Sequence, residues 1–247
     1  LARRWTTLQA EVGSAAFVGV DGLTMEVSSL NLAINRQSAE DASVVDYSTG
    51  HTELTVLTGP ASSLALDIDG ARGELLRADG HLKIDAFGFV QLEGDFAIDK
   101  ASAVTPVTLS DGSTANATAL RIGASNLRAF AGLNGGTDSA IGLELSGVDF
   151  GLALMGESLP AGSSAAPRSW TSLQATADAA AFVGVDGLKV SADTLSIEIN
   201  RAGTPLGAVV DYSLSDPDNA NSLRKTALTV ATSASDAITM TMDGSQG

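Results

Sequence analysis

The residues best able to do chemistry in this sequence are acidic. Asp216 and Asp218 stand in DPDNAN, a D-x-D start of the kind that offers several oxygens to a calcium ion. The rest of an EF-hand loop is missing: Ala220 falls on the third ligand position, and Asn221 stands where glycine is required. Asp67 and Asp69 alternate in LDID, and on a strand they would place two carboxylates on one face. GGTDSAIGL, at 135–143, shares only the first half of a calcium-binding nonapeptide and does not recur in tandem. Calcium is thus the one inorganic ligand the sequence offers, with Asp216, Asp218, Asp67 and Asp69 as candidate ligands and no other cofactor expected.

Catalysis finds less support. The two histidines, His51 and His81, are far apart, and there is no GxSxG elbow, HExxH pair or phosphate-binding GxxxxGK[ST] loop. Asp21, Asp69, Asp79 and Asp111 each precede a glycine, which is turn chemistry and not an acid–base pair. Trp5, Trp170, Tyr47 and Tyr212 could form a sugar platform. They are two residues repeated, however, and packing at a repeat boundary, with Arg3 and Arg168 as stacking partners, accounts for them better. No catalytic residue is assigned and no enzyme is expected.

The repetition is the strongest feature of the chain. WTTLQAEVGSAAFVGVDGL begins at Trp5 and returns as WTSLQATADAAAFVGVDGL at Trp170, an offset of 165. Across 5–36 and 170–201, 18 of 32 positions are identical without a gap. VVDYS recurs at the same offset, whereas TELTV at Thr52 meets TALTV at Thr226, an offset of 174. The nine extra residues fall around SDPDNANS, which must be a loop, since a strand could not absorb them without losing register. This gives a first unit over 1–157, a Pro- and Ser-rich junction over 158–169 and a partial second unit over 170–247. MDGSQG matches IDGARG in mid-unit, so about one and a half units of a longer tandem array are expected.

Composition narrows the setting. Fourteen Lys and Arg against 29 Asp and Glu give a net charge of −15, which repels nucleic acid and anionic membrane surfaces. Cysteine is absent, so disulfides, thiolate metal sites and cysteine nucleophiles are excluded. No apolar run approaches the ~18–20 residues of a membrane span.

The elements that would carry these residues read as strands. Apolar residues alternate with polar ones at Leu23, Met25 and Val27; after Ser28-Ser29 they resume on even numbers at Leu30, Leu32 and Ile34. The same phase change follows Gly13-Ser14, Ser125-Asn126, Ser146-Gly147 and Asp193-Thr194. Asp21-Gly22 and Asp186-Gly187 predict tight hairpins, and the serine-type pairs predict bends or bulges. FGFVQLEG and EGDFAID, over 87–99, predict a strand buried on both faces. The expected fold is all-β with an elongated repeat architecture, a β-solenoid or spiralled sheet, with tandem β-sandwich modules as the alternative.

These tandem units, FVGVDGL and LELSGVDFGLALM among them, resemble the repeat regions of very large bacterial surface or secreted proteins. The resemblance implies an exported, extracellular or cell-surface location and an adhesin-like structural role as stalk or scaffold. Its implied partners are neighbouring repeats of the same chain and a cell-surface glycan or protein. A β module binding calcium, a glycan or an apolar molecule along an alternating groove is the other expectation.

Overall fold

The computed structural model describes residues 3–38 and 43–246. Long strands β1 (Trp5–Phe17), β2 (Leu23–Gln37), β5 (Leu75–Ala86), β6 (Val90–Thr108), β7 (Thr114–Leu133), β8 (Ile141–Glu157), β9 (Ser169–Val183) and β10 (Val190–Ala202) form one antiparallel sheet in that order. The sheet is open, with β1 and β10 at its edges. Two excursions leave it: β3 (Thr55–Gly59) and β4 (Ser62–Ala65) pair between β2 and β5, and β11 (Thr229–Ala231) and β12 (Ala237–Thr239) pair after β10. Residues 158–169 join two strands of the same sheet, because β8 and β9 pair from Gly142↔Val183 to Gly156↔Ser169. The chain is therefore all-β, with no α-helix among the described residues.

The turns follow their residue chemistry. Leu23 N–H donates to Val20 C=O at 3.2 Å and Leu188 N–H to Val185 C=O at 3.1 Å, closing the two Asp-Gly hairpins with Gly22 and Gly187 at φ +80°. The strand expected over 87–99 begins only at Val90, the start of β6. Phe87 (φ +57°) and Gly88 (φ +70°) form the turn between β5 and β6, leaving Phe87 and Phe89 more than half exposed. The opposed phases of these aromatics record a reversal of the chain, not burial on two faces.

The serine-type pairs are β-bulges, and their purpose is visible in the register. Ala10, Leu32, Ala78, Ile98, Ile122, Leu152, Leu173 and Ile199 are successive ladder partners in one unbroken row across all eight strands. A second such row runs Phe17, Met25, Ile84, Leu92, Ala129, Leu145, Ala180 and Ala192. On β5 and β6 the two rows are six residues apart, an even number that keeps both on one face. On the other six strands they are seven apart, so each carries one extra residue. Ser29, Asn126, Gly147 and Thr194 take it up at φ between +51° and +58°. The extra residue restores the apolar positions to the common face.

Along these rows that face is apolar, and its opposite is not. The neighbouring row runs Gln9, Ala33, Arg77, Asp99, Arg121, Ala153, Ser172 and Asn200. The excursions pack on this polar face. A Cβ on Gly123 would strike Ala231 C=O, and one on Gly151 would meet Val230 and Met240. Burial is accordingly inverted: Asn35, Ala153 and Ser172 are fully buried, while Leu32, Ile98, Ile122 and Leu173 are only half-buried. Two cores lie beneath the excursions. One gathers Tyr47, Leu66, Ile68, Leu75 and Ala101; the larger includes Val107, Leu109, Met155, Trp170, Val210, Tyr212, Val230 and Met240.

Deleting Ser29 should turn Leu23, Met25 and Val27 to the charged face and lower the chemical-denaturation midpoint sharply. Ser29→Gly, which takes the positive φ without strain, should stay within about 1 kcal/mol of the parent. A deletion variant as stable as the parent would contradict the role given to the bulge.

Candidate functional site

The acidic candidates close loops. Asp216 Oδ1 accepts from Asp218 N–H at 3.1 Å, and Asp216 N–H donates to Ser222 Oγ at 3.2 Å, in an exposed turn below the Leu214↔Arg224 bridge. Asp67 and Asp69 do alternate outward between buried Leu66 and Ile68, but not on a strand. Asp67 N–H donates to Gln9 Oε1 at 3.1 Å, and Asp69 Oδ1 accepts from Ala71 N–H at 2.8 Å, capping the 3-10 turn Gly70–Arg72. Among the described residues no three His, Asp or Glu side chains gather as a metal site. His81 pairs across strands with Asp95, Nδ1 to Oδ1 at 2.9 Å.

What the structure does bring together, twice over, is an anchoring network. Each copy ties its excursion to its own first two strands through the same groups. Trp5 Nε1 donates to Ser43 C=O and Trp170 Nε1 to Ala208 C=O, both at 3.0 Å. Asn35 Nδ2 donates to Val45 C=O at 2.8 Å and Asn200 Nδ2 to Val210 C=O at 2.7 Å. Thr7 Oγ1 meets Tyr47 OH at 3.2 Å; Ser172 Oγ meets Tyr212 OH at 2.7 Å. Gln9 and Gln174 each accept a backbone N–H from the returning chain, of Asp67 and Thr241. The buried amide and hydroxyl groups on the polar face are thereby satisfied.

At the hub of each excursion lies an aspartate, Asp46 or Asp211. Asp46 Oδ1 accepts from the Ser48 hydroxyl and the Ser48 and Gly70 N–H groups, which hold its pKa at about 2. Asp211 is opposed by burial, but Lys225 at 2.8 Å, Ser213 and Gly244 N–H outweigh this and hold it at about 2 as well. Lys225 and His51 share the 174 offset, and His51 Nδ1 lies 3.6 Å from Asp46 Oδ2. His51 is thus the first copy's counterpart of a structural cation. Burial raises the pKa of Tyr212, against its hydrogen bond to Ser172.

The copies differ in what covers these anchors. The second excursion reaches back over β6, β7 and β8 of the first unit. Asp211 N–H donates to Thr108 C=O at 2.9 Å, Ser110 N–H to Val209 C=O at 2.8 Å, and Arg121 Nη1 to Thr229 C=O at 3.3 Å. Trp170 is 2% exposed there and Trp5 46%; Val230 is 0% exposed and its counterpart Val56 45%. Arg168 lies 5.4 Å over the Trp170 ring and also pairs with Glu157, the stacking expected of it. Beside this interface, Asp99 is buried between Arg72 and Arg121, a charge compensated from two sides.

Asn35, Gln9 and Asp46, with their counterparts, escaped the reading from residue types. The available signal was their identity in both copies, Gln9 within LQA, Asn35 within INR and Asp46 within VVDYS. The chain finds no match among family models, curated proteins or solved structures.

Both hub aspartates have folded pKa values below the ordinary 3.8, so their contribution to stability is complete above pH ~4 and is lost as pH falls toward 2. The thermal midpoint should hold between pH 7 and 5 and drop below 4. Asp211→Asn should cost about 1–3 kcal/mol at neutral pH and flatten that acid dependence. An acid limb unchanged in Asp211→Asn would contradict the assignment.

Proposed function

We propose that this chain is a structural tandem repeat, a stalk or scaffold segment of an extracellular or cell-surface protein, and that it does no catalysis. The observation that carries the reading is the unequal burial of equivalent anchors. Trp170, Leu228 and Val230 are 2%, 6% and 0% exposed, packed with Val107, Leu109 and Met155 of the preceding unit; Trp5, Leu54 and Val56 are 46%, 45% and 45% exposed. Identical chemistry with one side uncovered is what a stacking unit presents where a neighbour would dock. The acidic surface and absence of cysteine suit exposure outside the cell, and the repetition supports an adhesin-like array. Neighbouring repeats are its first partners on this reading. Calcium or glycan binding draws less support, since the Asp69 and Asp216 carboxylates close turns and Trp170 and Tyr212 are buried.

The test uses Trp5 as reporter. In Trp170→Phe, emission comes from Trp5 alone; preceding the chain with one further copy of residues 1–165, itself carrying Trp5→Phe, should shift that emission to the blue and reduce acrylamide quenching several-fold. A folded fusion whose Trp5 stays as quenchable as before would overturn the reading.

A further inference from the structure

The apolar face opposite the excursions has no covering among the described residues, and we propose that it pairs face to face with the same face of a second copy. The surface is large. Eight strands about 4.8 Å apart, and 12 residues or more in length at ~3.3 Å each, span roughly 1,500 Å². A soluble monomer seldom leaves more than ~300–600 Å² of contiguous apolar surface to water, and a stable interface needs ~800 Å² per partner. The rows of Leu32, Ile98, Phe96, Ile122, Phe150 and Leu173 run side by side on an open sheet, whereas a bound acyl chain wants a walled cleft. The largest recess described, about 590 Å³ around Lys83, Glu93 and Arg128, opens on the polar face. An open apolar sheet fits another such sheet at ~10 Å spacing.

Charge selects both the partner and its orientation. In a chain of net charge −15, no Asp or Glu occupies a ladder position on this face, so two copies can meet there with their acids turned away. The ladder cations on it, Arg36, Lys100 and Arg201, all stand at the excursion end. The hairpin tips at the other end carry Asp21, Asp138 and Asp186 against Lys189. A two-fold axis running across the strands sets each cationic end over the partner's acidic tips; an axis along the strands would set cations against cations. Under the first arrangement the middle row, which includes Ala175, lies opposite itself.

Sedimentation and light scattering should give about twice the 24.9 kDa chain mass, and Ile122→Glu should halve it while keeping the strand signal in circular dichroism. The chain has no cysteine, so single thiols report the geometry. A short bismaleimide should join Ala175→Cys to itself but not Thr171→Cys, which the two-fold carries ~26 Å from its mate. A wild-type monomer at 100 µM, whether bare or taken up by detergent micelles, would overturn the proposal. So would self-linking of Thr171→Cys, or an Ile122→Glu variant that is folded and still dimeric. If Ile122→Glu fails to fold, the cysteine pair decides alone. None of these readouts depends on tandem stacking, which the Trp5 measurement tests separately.

Discussion

Side chains on a strand alternate with a period of two, and eight long strands must keep that alternation in phase with one another if the sheet is to have one apolar face. Everything else in this structure depends on meeting that constraint. A straight strand would carry the sequence Leu30, Leu32, Ile34 and Leu23, Met25, Val27 onto opposite faces. One extra residue at Ser29, and its equivalents on five other strands, brings them together. Only β5 and β6 run without it, and their apolar residues hold a single parity from Leu76 to Ala86 and from Val90 to Ile98. The bulges lie at one level of the sheet: β1 with β2 and β9 with β10 pair through it in register, whereas the register shifts where β2 meets β5 and where β6 meets β7.

With the large apolar side chains on one face, the other is left with small and polar groups, and the excursions settle there. Ala153, Gly123 and Gly151 let the second ribbon approach the backbone closely; Asn35, Asn200 and the two glutamines supply the hydrogen bonds that hold the returning chain. Burial of these amides is tolerable because each finds a partner, and it fixes where the excursion sits. The same arrangement brings the second excursion against β6, β7 and β8. Tyr212, Val230 and Met240 are 0% exposed where they cluster with Leu109 and Met155, against 9%, 45% and 9% for Tyr47, Val56 and Leu66.

Much of this was legible in the sequence, and the gaps have physical reasons. Strand identity, the Asp-Gly hairpins and the loop around SDPDNANS follow from local pattern, because each depends on residues near in the chain. The choice among hairpin, bulge and corner at Ser28-Ser29 could not, since it turns on how the flanking strands pair: β1 takes both Leu30 and Val27 in one register, at Val12 and Ala15, while β5, some 50 residues away, meets the segment with its register shifted between Ser28 and Asn31. Phe87 and Phe89 misled for a related reason: an apolar residue in a tight turn breaks alternation just as a doubly buried strand does. The anchors were hidden by their chemistry, for Asn, Gln and Thr on a strand read as solvent-facing until the covering ribbon is known.

Hydrogen exchange tests the central claim, that one unit completes its fold on the unit before it. The two excursions have matched backbone bonds: Tyr47 N–H to Ile68 C=O at 2.9 Å and Tyr212 N–H to Met242 C=O at 3.0 Å, with Leu66 and Met240 N–H equally paired at 2.9 Å. Their exchange rates therefore differ only through what covers them. Tyr212 and Met240 should be protected to the level of β7 and β8, and Tyr47 and Leu66 should exchange at least about tenfold faster. Equal protection of the two pairs would contradict the account.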